Sequence, residues 1–191
     1  MSSVQQLTRV VEGQQAPAPG RYTIDASHST VEALARHLMV STVRGRFAAF
    51  SGTIEVAERL EQSRAEAAID AASVDTKDAQ RDEHLRSPDF LDVERFPTLR
   101  FASTGVERVD DASWKVNGDL TIRDVTRAVA LDVAFLGAAT DPWGNERIAF
   151  TATTELDREA FGMTWNQALE AGGVLVGKTL KVEVEIQAVK G

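Results

Sequence analysis

From Leu180 to Ala188 apolar and polar residues alternate without a break: Leu180, Val182, Val184, Ile186 and Ala188 against Lys181, Glu183, Glu185 and Gln187. A period of two sends successive side chains to opposite faces of an extended strand, so this segment has one apolar and one charged face. That is the code of an antiparallel sheet wet on one side. The same period recurs at Val129, Leu131, Val133 and Phe135, more weakly from Ile148 to Leu156, and over 64–74, where Ala65, Ala67, Ile69 and Ala71 oppose Arg64, Glu66 and Asp70. Residues 47–56, 98–107 and 114–122 also read as strands. Asp110-Asp111, Asn117-Gly118 and Asp141-Pro-Trp-Gly-Asn145 carry turn chemistry between them.

Short strands at regular spacing with few helices predict an all-β, mainly antiparallel domain, either a sandwich or an up-and-down barrel. Several inward positions are small (Ala33, Ala35, Ala65, Ala67, Ala71, Ala152). Small residues underfill a solid core but leave room inside a barrel, and about eight strands suffice to enclose one elongated ligand. The pattern therefore tilts toward a barrel with a cavity.

Two segments break the strand code. In the first, near 76–92, Asp75 is the expected helix N-cap, with Asp78 in the first turn and Arg86 in the last, where each charge suits the helix dipole. Ser87-Pro88 then predicts a second helical start. The other piece is expected at 157–169, with Phe161, Met163 and Trp165 around Gly162 and a stop at Gly172-Gly173.

Composition removes several classes of function. No cysteine is present, so thiolate metal sites, disulfides and cysteine nucleophiles are excluded. The net charge is −8, without basic clusters, which argues against nucleic acid and against an anionic membrane surface as partners. No apolar run approaches the roughly 18 residues of a bilayer-spanning helix, so no stable membrane insertion is expected. Met1–Gln15 has neither a basic start nor an apolar stretch of signal-peptide type, and the expected location is cytoplasmic. Ala16-Pro-Ala-Pro-Gly20 reads as a stiff linker, making residues 1–19 a flexible tail and 20–191 the folded domain.

From Gly20 onward the chain resembles the YceI-like family, bacterial polyisoprenoid-binding proteins with a lipocalin-like barrel. The matching motifs are Tyr22-Thr-Ile-Asp-Ala-Ser-His-Ser-Thr-Val31, Arg36-His-Leu-Met-Val40, Val43-Arg-Gly-Arg-Phe47, Ser73-Val-Asp-Thr76 and Arg81-Asp-Glu-His-Leu-Arg-Ser-Pro-Asp-Phe90. Phe96-Pro97, Gly118-Asp-Leu-Thr-Ile122, Val125-Thr126, Phe161-Gly162, Trp165-Asn166 and Leu169-Glu-Ala-Gly-Gly173 follow in order. The resemblance implies a lipocalin-like up-and-down barrel that holds a polyisoprenoid, isoprenoid quinone or prenyl diphosphate as carrier or reservoir. It also implies a homodimer, and a co-purified isoprenoid lipid in place of any cofactor. Larger apolar residues usually stand in the family where this chain has Ala33 and Ala35, a departure that bears on the cavity's width.

The candidate ligand-binding residues are Ala33, Ala35, His37, Phe47, Phe50, His84, Phe90, Phe101, Phe135, Phe150, Phe161 and Trp165. For the aromatic residues, strand parity leaves core and cavity wall as equal readings; Phe90 and Trp165, on the insertions, are the strongest cavity candidates. His37 shares the inward parity of Val31, Ala33 and Ala35 and either faces the cavity or hydrogen-bonds backbone in the core. His84 either donates to a ligand head group or ties the insertion to the barrel, and His28 reads as a turn partner of Asp25. Histidine separations of nine and 47 residues match no compact metal motif, so no metal site is expected. Arg81 and Asp82 read as an ion-pair anchor, and Arg123, Asp124 and Arg127 as a solvated turn. No catalytic constellation emerges. Two other readings stand beside a carrier: an enzyme using His37 or His84 as acid–base, and a ligand-free, stress-related interaction module with a solid barrel.

Overall fold

The computed structural model describes residues 7–110 and 113–191. Its strands are β1 (Thr8–Val11), β2 (Gln14–Pro17), β3 (Gly20–Ile24), β4 (Thr30–His37), β5 (Ser41–Phe47), β6 (Phe50–Val56), β7 (Arg64–Asp70), β8 (Val74–Asp75), β9 (Thr98–Arg108), β10 (Ser113–Ile122), β11 (Val125–Thr140), β12 (Glu146–Asp157) and β13 (Val176–Lys190). The one α-helix, α1, spans Ala79–Arg86.

Eight strands close into an antiparallel barrel in the order β12-β11-β10-β9-β7-β6-β3-β13, with β13 pairing back to β12. Strands β4, β5 and β8 continue the wall at one end, so three staves of the barrel are each broken in two. The corner between β3 and β4 shows how. Asp25 accepts from Ser27 N, while buried Ser29 donates to Asp25 O (2.7 Å) and accepts from Gln187 N (3.0 Å). One edge of β13 is thereby shared between β3 (Ala188–Lys190) and β4 (Val176–Glu185). Every pairing is antiparallel and mostly between sequence neighbours, which is what short turns permit.

Residues 8–17 correct the expected tail. They form a hairpin, turned by Glu12 and Gly13 at positive φ, and Ala16 is only 1% exposed against Tyr22, Val56, Leu60, Ile148 and Ala188. Tyr22 Oη donates to Ala18 O (2.8 Å) and secures the plug. Prolines suggested a linker, but a proline is tolerated on a short edge strand. Residues 1–6 of the expected tail lie outside the described residues, as does Asp111 of the Asp110-Asp111 turn.

Asn117-Gly118 is not a turn. It lies inside β10 at a register shift, and a side chain at Gly118 would meet the Phe101 ring at 2.5 Å. The glycine is needed for a ring laid across the strand, not for a chain reversal. By contrast, Asp141–Asn145 turns as expected, with Gly144 at φ +89.

The ladder between β11 and β12 runs from Thr140↔Glu146 only to Asp132↔Thr153. Beyond it the strands diverge, and a 3-10 turn at Arg158–Phe161 fills the seam with the Phe161 ring. Arg127 Nε donates to Ala160 O (3.2 Å) and Arg123 Nη1 to Gly162 O (3.0 Å). These arginines tie the seam filler down rather than forming only a solvated turn. The helical piece expected over 157–169 is confined to this one turn.

Arg147 joins two corners of the barrel, donating to Asp25 Oδ2 (2.7 Å) and Asp141 Oδ2 (2.9 Å). Asp25 is held well below the ordinary carboxylate range chiefly by the Arg147 guanidinium, and Asp141 chiefly by the Asn145 amide with Arg147 assisting. Carboxyls with lowered native pKa add stability that is complete above their unfolded value of about 4 and is lost as pH falls below it. Thermal midpoints followed from about pH 6 to about pH 2 are therefore expected to fall, and to fall less steeply in Arg147→Met. Parallel curves for the two proteins would contradict this.

Candidate functional site

The barrel interior is divided. At the hairpin-plugged end, Phe135 and Phe150 face each other across β11 and β12 with ring centroids 5.4 Å apart, packed with the Tyr22 and Ile148 cluster. At the other end lies a cavity of about 730 Å³. Its walls are Ala33 and Ala35 on β4, Val43, Gly45 and Phe47 on β5, Leu99 on β9, Leu120 and Ile122 on β10, Leu156 on β12, and Leu180 and Val182 on β13.

The segment 76–92 lies over this cavity. Asp78, not Asp75, caps α1 by accepting from Arg81 N (3.0 Å), because Asp75 is taken up by β8 and accepts from Lys77 N (2.8 Å). Arg81 and Asp82 do not pair with each other; both clasp Thr76. Asp82 Oδ1 accepts from Thr76 N (2.8 Å) and Oγ1 (2.6 Å), while Arg81 donates to Thr76 Oγ1 (2.8 Å) and O (2.9 Å). After Ser87 the expected second helix is replaced by tight turns. Ser87 O accepts from both Phe90 N and Asp92 N, which delivers Phe90 and Leu91 to the cavity.

His84 Nε2 lies 2.8 Å from Asp89 Oδ2, and its ring meets Phe90 and Trp165 edge-on at 5.1 and 4.5 Å. Three rings from two separate insertions thus lock together as one cover, an arrangement favoured by their quadrupoles. Beneath it Arg158 is 1% exposed and has no carboxylate at salt-bridge distance among the described residues. It donates to Gly177 O (2.8 Å), Met163 O (2.6 Å) and Trp165 O (2.9 Å), and more distantly to Val176 O (3.4 Å). Burial pulls its pKa below the ordinary arginine value. These bonds fasten 163–177 around the cavity.

Of the residues expected at a site, Ala33, Ala35, His37, Phe47, His84, Phe90 and Trp165 line the cavity together. Five do not. Phe50 packs against the surrounding core, Phe101 covers Gly118, Phe135 and Phe150 fill the closed end, and Phe161 plugs the seam. The imidazole of His37 stands half-buried at the mouth with no hydrogen-bond partner among the described residues, whereas exposed His28 is bound to Asp25 (2.8 Å). Arg158 and Met163 were missed. The count that turns Leu156 inward turns Arg158 inward too, but an arginine beside Asp157 and Glu159 reads as solvated. Among the described residues no group of three or more His, Asp or Glu side chains is placed to hold a metal, and no helix is long and apolar enough to cross a membrane.

Comparison with known proteins agrees with this architecture. A UPF0312 protein of Staphylococcus aureus (strain USA300) is 36% identical over 168 residues, covering 87% of this chain and 95% of that protein. BcnA of Burkholderia cenocepacia shares the fold at a TM-score of 0.76 and 20% identity, over 86% of this chain and 98% of its own. A polyisoprenoid binding domain from Saccharophagus degradans does so at a TM-score of 0.66 and 16% identity, over 89% and 98%. The family model described as the YceI-like domain matches residues 22–188, and the chain belongs to that family.

Proposed function

We propose that the protein binds a long-chain apolar or amphiphilic molecule, of polyisoprenoid, isoprenoid-quinone or prenyl-diphosphate type, as carrier or reservoir. The reading is carried by the 730 Å³ cavity, whose lining is mostly aliphatic and aromatic; its polar residues include His37, Gln80 and both signs of charge, Arg36 and Arg81 as well as Glu32 and Asp78, besides buried Arg158. Family membership and the fold shared with a polyisoprenoid binding domain support it. At about 30 Å³ per water-sized group the cavity takes ~24 such groups, or about five isoprene units, so a longer chain would extend through the mouth. Each buried methylene contributes about 0.8 kcal/mol, so ~24 groups supply ~19 kcal/mol, and a mid-range association loss of about 10 kcal/mol leaves micromolar binding.

His37 is the natural donor to a carbonyl or phosphate head, since its imidazole is the one at the cavity that no protein group engages among the described residues. An enzymatic reading through His84 is not favoured, because its Nε2 is occupied by Asp89 and its ring is enclosed between two others. A solid-barrel interaction module does not suit an open cavity of this size. Trp165 reports on occupancy: in a Trp114→Phe, Trp143→Phe background, titration with a short-chain isoprenoid quinone is expected to quench its fluorescence saturably, with micromolar or lower Kd. Linear, non-saturating quenching would count against the proposal.

A further inference from the structure

The tip of the hairpin between β4 and β5 has an unexpected composition. Leu38, Met39 and Val40 are 41%, 56% and 76% exposed, three large apolar side chains in succession. Val40 N donates to His37 O (3.1 Å), closing a turn whose central residues, Leu38 and Met39, both have positive φ (53° and 65°). Such turns favour Asn and Gly, because a branched or long side chain in the left-handed region is strained by about 1–2 kcal/mol. Neither the turn nor water favours these residues here. The tip is nonetheless held in place: Leu38 N donates to Leu175 O (2.9 Å), and Met39 lies against Gly173.

The position of the tip supplies its meaning. His37 and Val43, which flank it, and Leu175, which braces it, all line the cavity mouth. The other exposed large apolar residues, Val10, Val109, Leu136 and Trp143, are scattered over separate strands and turns toward the plugged end, and single residues of that kind are ordinary.

Charge singles out the same place. The chain carries 29 acidic residues, yet none falls between Glu32 and Glu55. Arg36, beneath the tip, donates to Met39 O (3.1 Å) and has no carboxylate partner among the described residues. Arg44 is neutralised by Glu32 and Glu183, and the bracing segment 167–175 contributes the single acid Glu170. An acidic protein thus presents at the lip of its apolar cavity an apolar point with one arginine beside it, Arg36, that has no carboxylate partner among the described residues.

We infer that this tip docks on a phospholipid bilayer, with Leu38, Met39 and Val40 entering the headgroup–acyl boundary and Arg36 facing the lipid phosphates. The inference rests on the proposed apolar ligand and extends it: the cavity mouth is set against the membrane, so a chain passes between bilayer and barrel without crossing water. Insertion of apolar side chains into the headgroup–acyl boundary is the ordinary basis of reversible interfacial binding, and Arg36 adds one contact to lipid phosphate.

The test is sedimentation of the full chain with phosphatidylcholine vesicles, comparing the wild type with a Met39→Asp, Val40→Asp variant. Aspartate tolerates positive φ, so the turn should survive. The wild type is expected to partition to these vesicles at least tenfold more than the variant. Farnesol, which reaches the cavity from solution, should bind both proteins equally. Equal partitioning of wild type and variant would overturn the inference. So would a wild type that binds farnesol but stays in the supernatant, which leaves the ligand reading intact. A variant that changes only from dimer to monomer, with vesicle binding unaltered, would identify the tip as a contact between copies and overturn it too. Loss of farnesol binding in both proteins would instead defeat the ligand reading on which the inference stands.

Discussion

Replacing Arg158 with methionine is expected to lower the unfolding free energy by about 3–5 kcal/mol. Methionine retains the apolar stem, so the loss isolates the guanidinium. Its removal leaves the carbonyls of Gly177, Met163 and Trp165 buried without their donor, and each such group costs about 1–3 kcal/mol. Lysine at 158 should recover only part, because one ammonium cannot span carbonyls that a planar fork reaches on both sides of the loop. Denaturant unfolding measures both variants; a deficit under about 1 kcal/mol for Arg158→Met would show that the carbonyls find other partners or water. The surviving protein should also bind ligand more weakly, since Trp165 and Met163 lose the anchor that holds them over the cavity.

The second large effect concerns the small residues of β4. Ala35→Phe places a ring into the cavity opposite Val43 and Leu180. Displacing on the order of four methylene-sized groups of ligand should cost ~3 kcal/mol of binding, about two orders of magnitude in Kd. Stability should hold or rise, because the ring fills space that is otherwise empty. Loss of binding with retained stability separates a cavity that holds ligand from one that merely loosens the core. If Ala35→Phe binds a quinone or prenyl alcohol as well as the wild type, the ligand lies elsewhere.

Much of the architecture was legible from period-two alternation, because a sheet wet on one side must write its two faces into the sequence. The antiparallel strands and the insertion near 76–92 follow from that pattern and from turn chemistry, whereas the choice of a barrel over a sandwich came from the family resemblance and the helix expected over 157–169 shrank to one turn. What alternation does not encode is where along a strand the interior changes from core to cavity. Phe135 and Phe47 obey the same parity rule, yet one fills the plugged end and the other faces the cavity. The register shift between Phe135 and Gly137, and the shift at Asn117 and Gly118, depend on long-range packing that local composition does not record. The N-terminal hairpin was hidden for a related reason: alanine and proline look like a linker until the barrel end they cover is known. Arg158 was obscured by its charge, since burial of a guanidinium among carbonyls is visible only once those carbonyls have been brought around it.

The central claim is that the interior beneath Phe90, His84 and Trp165 is a place for an apolar chain. Organic extraction of the freshly purified protein, followed by mass spectrometry, tests it most directly. The account predicts an isoprenoid or comparable long-chain lipid at a substantial fraction of one molecule per chain, absent or much reduced in Ala35→Phe purified in parallel. Extracts free of any such lipid, from protein that also fails to take up added isoprenoid quinone, would contradict it.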